Sequence, residues 1–225
     1  MSESQTALLY HAPLTCSLAA RFCAAEAGVD IQLQPLNLLN KTLVGHGVES
    51  APSYLDIHPL GQVSALRTAN GEFITETAVV LMWLQHQSRQ TDFKRDVDHT
   101  EYFQLLRWLN FCATELHKQI FRIVFYQEAT DPVKAKIRDL APPRLALLDQ
   151  HLSDRPFLLG DTFSAADAYL TWFFVLSDRA QLNLEPYQQL CDYRQRALAR
   201  PLIQQLIADD LTMDAAIGQN IQSSL

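Results

Sequence analysis

Two hydrophobic periods divide the chain. The first third alternates short apolar runs with turn residues and helical stretches, and the remainder keeps a helical period almost throughout. Thr6 to Tyr10 reads as a strand, and Pro13, which lacks an amide hydrogen, prevents its continuation as a paired central strand. A helix begins near Cys16 or Ser17. Leu18, Phe22 and Ala25 share its inner face, and Gly28 suits the left-handed position that closes a helix. Ile31 and Leu33 alternate with Gln32 and Gln34, which gives a second strand up to about Asn37. Lys41 to Leu55 has no firm period and contains Gly45, Gly47 and Pro52, so irregular backbone with at most a helical turn is expected. Val63 to Arg67 and Phe73 to Thr75 form a hairpin around Asn70-Gly71, a dipeptide suited to positive φ. Glu76 to Gln87 is helical, and the order so far is βαβ followed by ββα.

Ser88 to Val97 is polar and aperiodic, which makes it the expected linker between a first domain, residues 1–87, and a second, residues 98–225. Beyond it Leu105, Leu109, Cys112, Leu116, Ile120 and Ile123 recur at helical spacing, and no convincing strand follows. Asp131-Pro132 supplies an N-cap and first helical residue for a helix with Val133, Ile137, Leu140, Leu145, Leu148 and Leu152 inside, kinked at Pro142 and Pro143. Ser164 to Asp167 has the form of a capping box at the start of a further helix. Pro201 starts or interrupts the last one.

Composition narrows the function classes. At 225 residues the chain can bury a real core, and 48% hydrophobic with 19% charged residues is the balance of a globular protein. The longest apolar run, Ala78 to Leu84, is far below the ~20 residues that cross a bilayer. Met1 to Thr6 lacks the basic and apolar regions of a secretory signal, so a cytoplasmic protein without a membrane partner is expected. A net charge of -7 disfavours nucleic acid. Cys16, Cys23, Cys112 and Cys191 form no CxxC pair or Cys/His cluster, which argues against structural metal and a disulfide framework.

Three groups of residues could carry chemistry. Cys16 lies at the start of the first helix, where free amides and the helix dipole favour a thiolate able to exchange with, or bind, a thiol substrate; a buried small hydrophobe is the plainer reading. Tyr10 and Ser17 are neighbouring hydroxyls that could donate to such a sulfur, although strand packing for Tyr10 and helix capping for Ser17 are the plainer readings. At Glu76-Thr77 a helix N-terminus, a hydroxyl and a carboxylate converge, a corner able to hold both ends of an amino acid or simply to cap a helix. Asn110, Thr114, His117 and Lys118 fall within about a 100° arc of one helix, a polar stripe that ordinary amphipathicity also produces. Phe121 and Phe125 on that side suggest a cleft rather than open water.

In this order the three groups resemble the cytosolic glutathione S-transferase family, and more closely its bacterial beta class, from about Leu8 to about Leu206. The passages that carry the resemblance are Tyr10 to Ser17, Ile57-His-Pro-Leu-Gly-Gln-Val63 leading to Glu76-Thr77, Trp108 to Lys118, and Ser164 to Leu170. It implies a thioredoxin-like α/β first domain with a mixed sheet, an all-α helical-bundle second domain, and a homodimer. Glutathione would be the co-substrate, with Cys16 at its sulfur, Val63 pairing with the cysteinyl part, Glu76 and Thr77 at the γ-glutamyl end and Lys41 at the glycine carboxylate. Asn110, Thr114, His117 and Lys118 would close the site, His117 donating towards the sulfur, and Phe121, Phe125, Tyr126 and Trp172 would line the co-substrate pocket. The implied activity is conjugation of glutathione to small electrophiles in detoxification, with a Cys16-dependent disulfide reductase or a non-catalytic binding protein as the other readings. The chain departs from the family at Ser64, where proline in a cis bond is usual, so either Val63-Ser64 is cis without proline or the loop is rebuilt.

Overall fold

The computed structural model describes residues 6–45, 53–90, 93 and 100–218. The first part is an α/β unit of β1 (Ala7–His11), α1 (Ser17–Ala27), β2 (Ile31–Asn37), β3 (Thr42–Leu43), β4 (Ala65–Arg67), β5 (Phe73–Thr75) and α2 (Thr77–Gln87). The sheet order is β3-β2-β1-β4-β5, with β1 parallel to β2 and the other pairs antiparallel, the mixed sheet that βαβ followed by ββα predicts. β3 lies in the stretch expected to be irregular. It pairs Leu43 with Leu36 and Thr42 with Asn37, and two residues are too few to display a period. The β4–β5 loop also differs from a two-residue Asn-Gly turn: Thr68 N–H donates to Glu72 O, Gly71 N–H donates to Thr68 O, and only Gly71 has positive φ.

α1 is buried nearly all round rather than along one face, because it packs on α2 and also on α7 (Ala165–Ser177) and α9 (Pro201–Ile217) of the second part. Leu18 and Phe22 are inside as expected, Ala25 is only half-buried, and Ala19, Ala20, Ala24 and Ala27 let neighbouring helices approach. Gly28 ends the helix at φ 64, in the left-handed region. One hydrophobic cluster then runs from Leu9 on β1 through α1 and α2 into the helical part, so the two parts share a core. The expected linker, residues 88–97, lies largely outside the described residues. Within it Ser88 donates to Ala27 O and Phe93 is buried in the shared core.

The helical part opens with α3 (Thr100–Phe111), which continues without a break into a π-helix, Cys112–Phe121, and the single turn α4 (Arg122–Val124). The wider π turn changes the phase of the apolar stripe. Leu105 to Ile120 point inward as the spacing predicts, but thereafter Phe121 and Val124 are buried and Ile123 is only half-buried. The expected kinked helix is two helices, α5 (Asp131–Arg138) and α6 (Ala141–His151). Prolines at the start of α6 lack the N–H that a continuous helix needs, so the chain restarts there instead of bending. α5 is capped at Thr130, one residue earlier than expected, and buries none of its residues; Val133 is 47% exposed. The Ser164–Asp167 capping box is present with both bonds. α8 (Gln188–Leu198) precedes α9, which Pro201 starts rather than interrupts.

Candidate functional site

A buried polar network fixes the loop between β1 and α1. Asp210 on α9 accepts from Leu14 N–H at 2.7 Å, pairs with Arg21, and meets His11 Nε2 at 2.9 Å. The other imidazole nitrogen of His11 bonds Ser17 Oγ at 2.9 Å, and Trp172 Nε1 donates to Leu14 O at 3.1 Å. These bonds seat Cys16 at the N-cap of α1, facing a cleft of about 420 Å³ between the sheet edge and the helices.

The first-domain wall includes Leu14, Cys16, Leu38, Lys41 and Gly61 to Val63. Gly61 has φ 57 and no Cβ; a Cβ there would come 2.9 Å from Cδ of Lys41, whose stem lies over the glycine while its Nζ donates to Gly61 O at 2.9 Å. The Val63-Ser64 bond is cis, the first of the two alternatives for a chain lacking the usual proline. Cys16 Sγ donates to Val63 O at 3.0 Å. Behind it Ser64 and Thr77 are buried with their hydroxyl oxygens 3.3 Å apart. Of the two readings of Cys16 the buried thiol is the one favoured here. Burial pushes the Cys16 thiol up, and the Thr77 hydroxyl, the Lys118 ammonium, the helix N-terminus amide and the Ser64 hydroxyl only partly offset it.

The opposite wall comes from the π-helix and α7: His117, Lys118, Phe121, Arg122, Phe125, Tyr126 and Trp172. His117 Nδ1 lies 2.8 Å from the Tyr169 hydroxyl. Burial, with lesser repulsion from Lys118 and Arg122, pulls His117 down to about 3, so its ring is neutral at physiological pH. Burial holds Tyr169 well above its ordinary value, so a neutral hydroxyl and a neutral ring share one proton across this bond; when the hydroxyl donates to Nδ1, the ring proton sits on Nε2. The Thr77 hydroxyl, bonded to Ser64, eases the ionisation of both Cys16 and Tyr169.

Of the residues singled out from sequence, Cys16, Lys41, Val63, His117, Lys118, Phe121, Phe125, Tyr126 and Trp172 line the cleft. Phe121 is buried rather than exposed, stacked 4.4 Å from Phe173. Ser64 and Thr77 sit behind the wall, and Glu76 is exposed at the N-cap of α2 with φ 67. Four residues are placed elsewhere. Tyr10 faces the other side of the sheet and packs with Tyr54 and Phe73, because alternate strand positions face opposite sides and Leu9 takes the core side. Ser17 is consumed by His11 and the Ala12 backbone. Asn110 and Thr114 are exposed and bond backward to Leu106 O and Asn110 O, because the π-helix turns them away from His117 and Lys118. Sequence reasoning missed Tyr169 and Arg122; Tyr169 lies three residues before Trp172 on α7, and Arg122 four after Lys118, spacings that put each pair on one helix side.

Among the described residues no three His, Cys, Asp or Glu side chains gather as a metal site, and no helix is long and apolar enough to cross a membrane. The model of the glutathione S-transferase C-terminal domain matches residues 131–199. Glutathione S-transferase GstA of Escherichia coli O157:H7 is 29% identical over 200 residues, covering 89% of this chain and 96% of that protein. The structure of a sphingomonad glutathione S-transferase complexed with glutathione superposes with TM-score 0.82 at 26% identity, over 90% of this chain and 98% of that one. The bacterial beta class enzyme of Sphingomonas chungbukensis gives TM-score 0.80 at 25% identity over the same shares. With the mixed sheet, the helical second part and Cys16 at the cleft between them, these likenesses make one consistent set: the chain is similar to glutathione S-transferases over most of its length, a bacterial beta class enzyme among them.

Proposed function

We propose that this protein is a glutathione transferase that holds glutathione along the first domain with its sulfur beside Cys16 and passes the thiolate to small electrophiles bound against the aromatic wall. The observation that carries the reading is the seating of Cys16 at the floor of an interdomain cleft, opposite a neutral, proton-bearing His117. Val63 offers its backbone to the cysteinyl part, Lys41 its ammonium to the glycine carboxylate, and the N-terminus of α2 with Thr77 its amides and hydroxyl to the γ-glutamyl carboxylate. Exposed Glu76 beside it suits the γ-glutamyl ammonium.

The raised Cys16 thiol favours conjugation over a mixed-disulfide route. A protonated Cys16 can move its S–H from Val63 O to the glutathione sulfur and, with Nε2–H of His117 and the Lys118 ammonium, stabilise the anion that forms there. Proximity then supplies the rest: the sulfur attacks the electrophilic carbon, the leaving group departs with its electron pair, and the thiol proton passes to solvent. A cytoplasmic homodimer acting in detoxification belongs to the same proposal, divided between residues 1–87 and 98–225. The test is retention on immobilised glutathione together with conjugation of 1-chloro-2,4-dinitrobenzene. Folded protein that does neither overturns the reading, and activity on disulfides alone that vanishes in Cys16→Ala replaces it with the reductase.

A further inference from the structure

The protein is acidic, with 25 Asp and Glu against 18 Lys and Arg, yet the described wall of its cleft carries Lys41, Lys118 and Arg122 and no carboxylate. The three cations are not equivalent. Lys41 Nζ is tethered to Gly61 O and Lys118 Nζ reaches Gln62 Oε1 at 3.5 Å, so both lean on the first-domain edge where glutathione is proposed to lie. The Arg122 guanidinium has no hydrogen-bond or ion-pair partner among the described residues. The carboxylate nearest in sequence, Glu128, is engaged by the Tyr126 hydroxyl at 2.7 Å. Arg122 is nonetheless held close to the site, since its charge is felt by both Lys41 on one wall and His117 on the other. Around it stand Phe121, Phe125, Tyr126 and Trp172, with Phe121 and Phe125 edge-on at 5.0 Å and Phe121 and Trp172 at 5.6 Å. A flat apolar body is matched by those rings, and an uncommitted guanidinium at their edge matches a planar oxyanion by two parallel N–H donors.

We propose that the electrophile this enzyme prefers is an aromatic or similarly flat compound bearing a carboxylate, and that Arg122 selects it. The inference rests on the transferase reading for its chemistry but on Arg122 for its content. Glutathione brings two carboxylates of its own, and the proposed site already gives them Lys41 and the N-terminus of α2, which leaves Arg122 for the second substrate.

A matched pair tests this: 4-chloro-3-nitrobenzoate and its methyl ester. In both, the glutathione sulfur forms a bond to the chlorine-bearing ring carbon, chloride leaves with the bonding pair and the thiol proton goes to buffer, with no change of oxidation state. With each rate divided by its uncatalysed rate, the wild type is expected to favour the carboxylate in kcat/KM, and Arg122→Gln to cut that preference about five- to tenfold, the size of one charge-assisted hydrogen bond in a half-open site. Arg122→Lys should keep part of it. Calorimetry with the two glutathione conjugates, the carboxylated one and its ring methyl ester, reads the same selectivity without turnover. Tighter binding of the carboxylated conjugate that R122Q removes supports the proposal, even if neither acceptor is turned over, in which case the transferase reading alone has failed. Equal affinities in the wild type, a preference that survives R122Q, or an R122Q loss as large for glutathione itself as for the carboxylated conjugate, overturns it.

Discussion

The Tyr169 hydroxyl lies 2.8 Å from Nδ1 of His117, joining α7 to the π-helix across the back of the cleft. The bond couples the tautomer of a neutral imidazole to the phenol: with Tyr169 as donor the ring proton is on Nε2, the form that the proposed contact with the glutathione sulfur uses. Removing the donor in Tyr169→Phe should leave the fold intact and lower kcat/KM by up to about tenfold, the worth of one net hydrogen bond. Steady-state kinetics with thermal melting distinguishes this from simple destabilisation, in which kcat/KM per folded molecule would not change.

His117 also sets an acid sensitivity. Its folded-state value is depressed to about 3 by burial, below the ordinary histidine value of 6.5. The unfolded chain therefore binds a proton between those values that the folded chain refuses. The stability associated with His117 is full above about pH 6.5 and is lost as the pH falls towards 3. His117→Asn, which cannot titrate, should show a shallower decline in urea midpoint between pH 7.5 and 5 than the wild type. Parallel curves for the two proteins would contradict the burial of a neutral ring.

Cys16 should react slowly. With the thiol pushed up by burial, alkylation by iodoacetamide at pH 7 is expected to be well below that of an ordinary exposed cysteine and to climb through the alkaline range. Ser64→Ala and Thr77→Val each remove a hydroxyl that eases ionisation, and each should displace the alkylation profile further towards high pH. A profile centred near neutrality in the wild type would restore the low-pKa thiolate expected at a helix N-terminus.

Much of this arrangement is legible in the sequence because it is local. The alternation of Ile31 to Gln34, the glycine after α1 and the capping box at Ser164 depend on neighbours a few residues apart, and the structure keeps all three. What the sequence hides depends on phase and on distance along the chain. The π-helix adds a residue per turn, so the 100° rule that groups Asn110 and Thr114 with His117 fails at the point where the cleft is built. The partners of Ser17 make the same point. His11 is six residues away, but Asp210, which anchors His11, is 199 residues from it, and no pattern announces that pairing. For Cys16 the sequence shows the place and leaves the chemistry open between thiolate and buried thiol, since helix position is local and burial is not.

Gly61 offers a steric test of the proposed glycine-carboxylate contact. A Cβ there would sit 2.9 Å from Cδ of Lys41, and the backbone at φ 57 suits glycine. Gly61→Ala should displace the Lys41 side chain and raise KM for glutathione several-fold. Lys41→Met should raise it by a similar factor, and the double variant should be little worse than either, because both remove one interaction. Fully additive effects would show that Lys41 and Gly61 act separately.

The buried acid of α9 gives the strongest stability prediction. Asp210 is fully buried and serves Arg21, His11 and the amide of Leu14 at once, drawing the Cys16 loop onto the second domain. Asp210→Ala leaves an imidazole nitrogen and an amide without their acceptor and the buried Arg21 guanidinium with only Asp209 at 3.5 Å, and breaking a buried ion pair by deleting one partner costs about 3–5 kcal/mol. Denaturant melts should show a loss of that order. Because the same carboxylate positions the loop, activity per folded molecule should fall as well. Asp210→Asn keeps an acceptor oxygen and the shape of the side chain, so it should recover part of both. A melt unchanged by Asp210→Ala would mean that the network is not what joins the loop to α9.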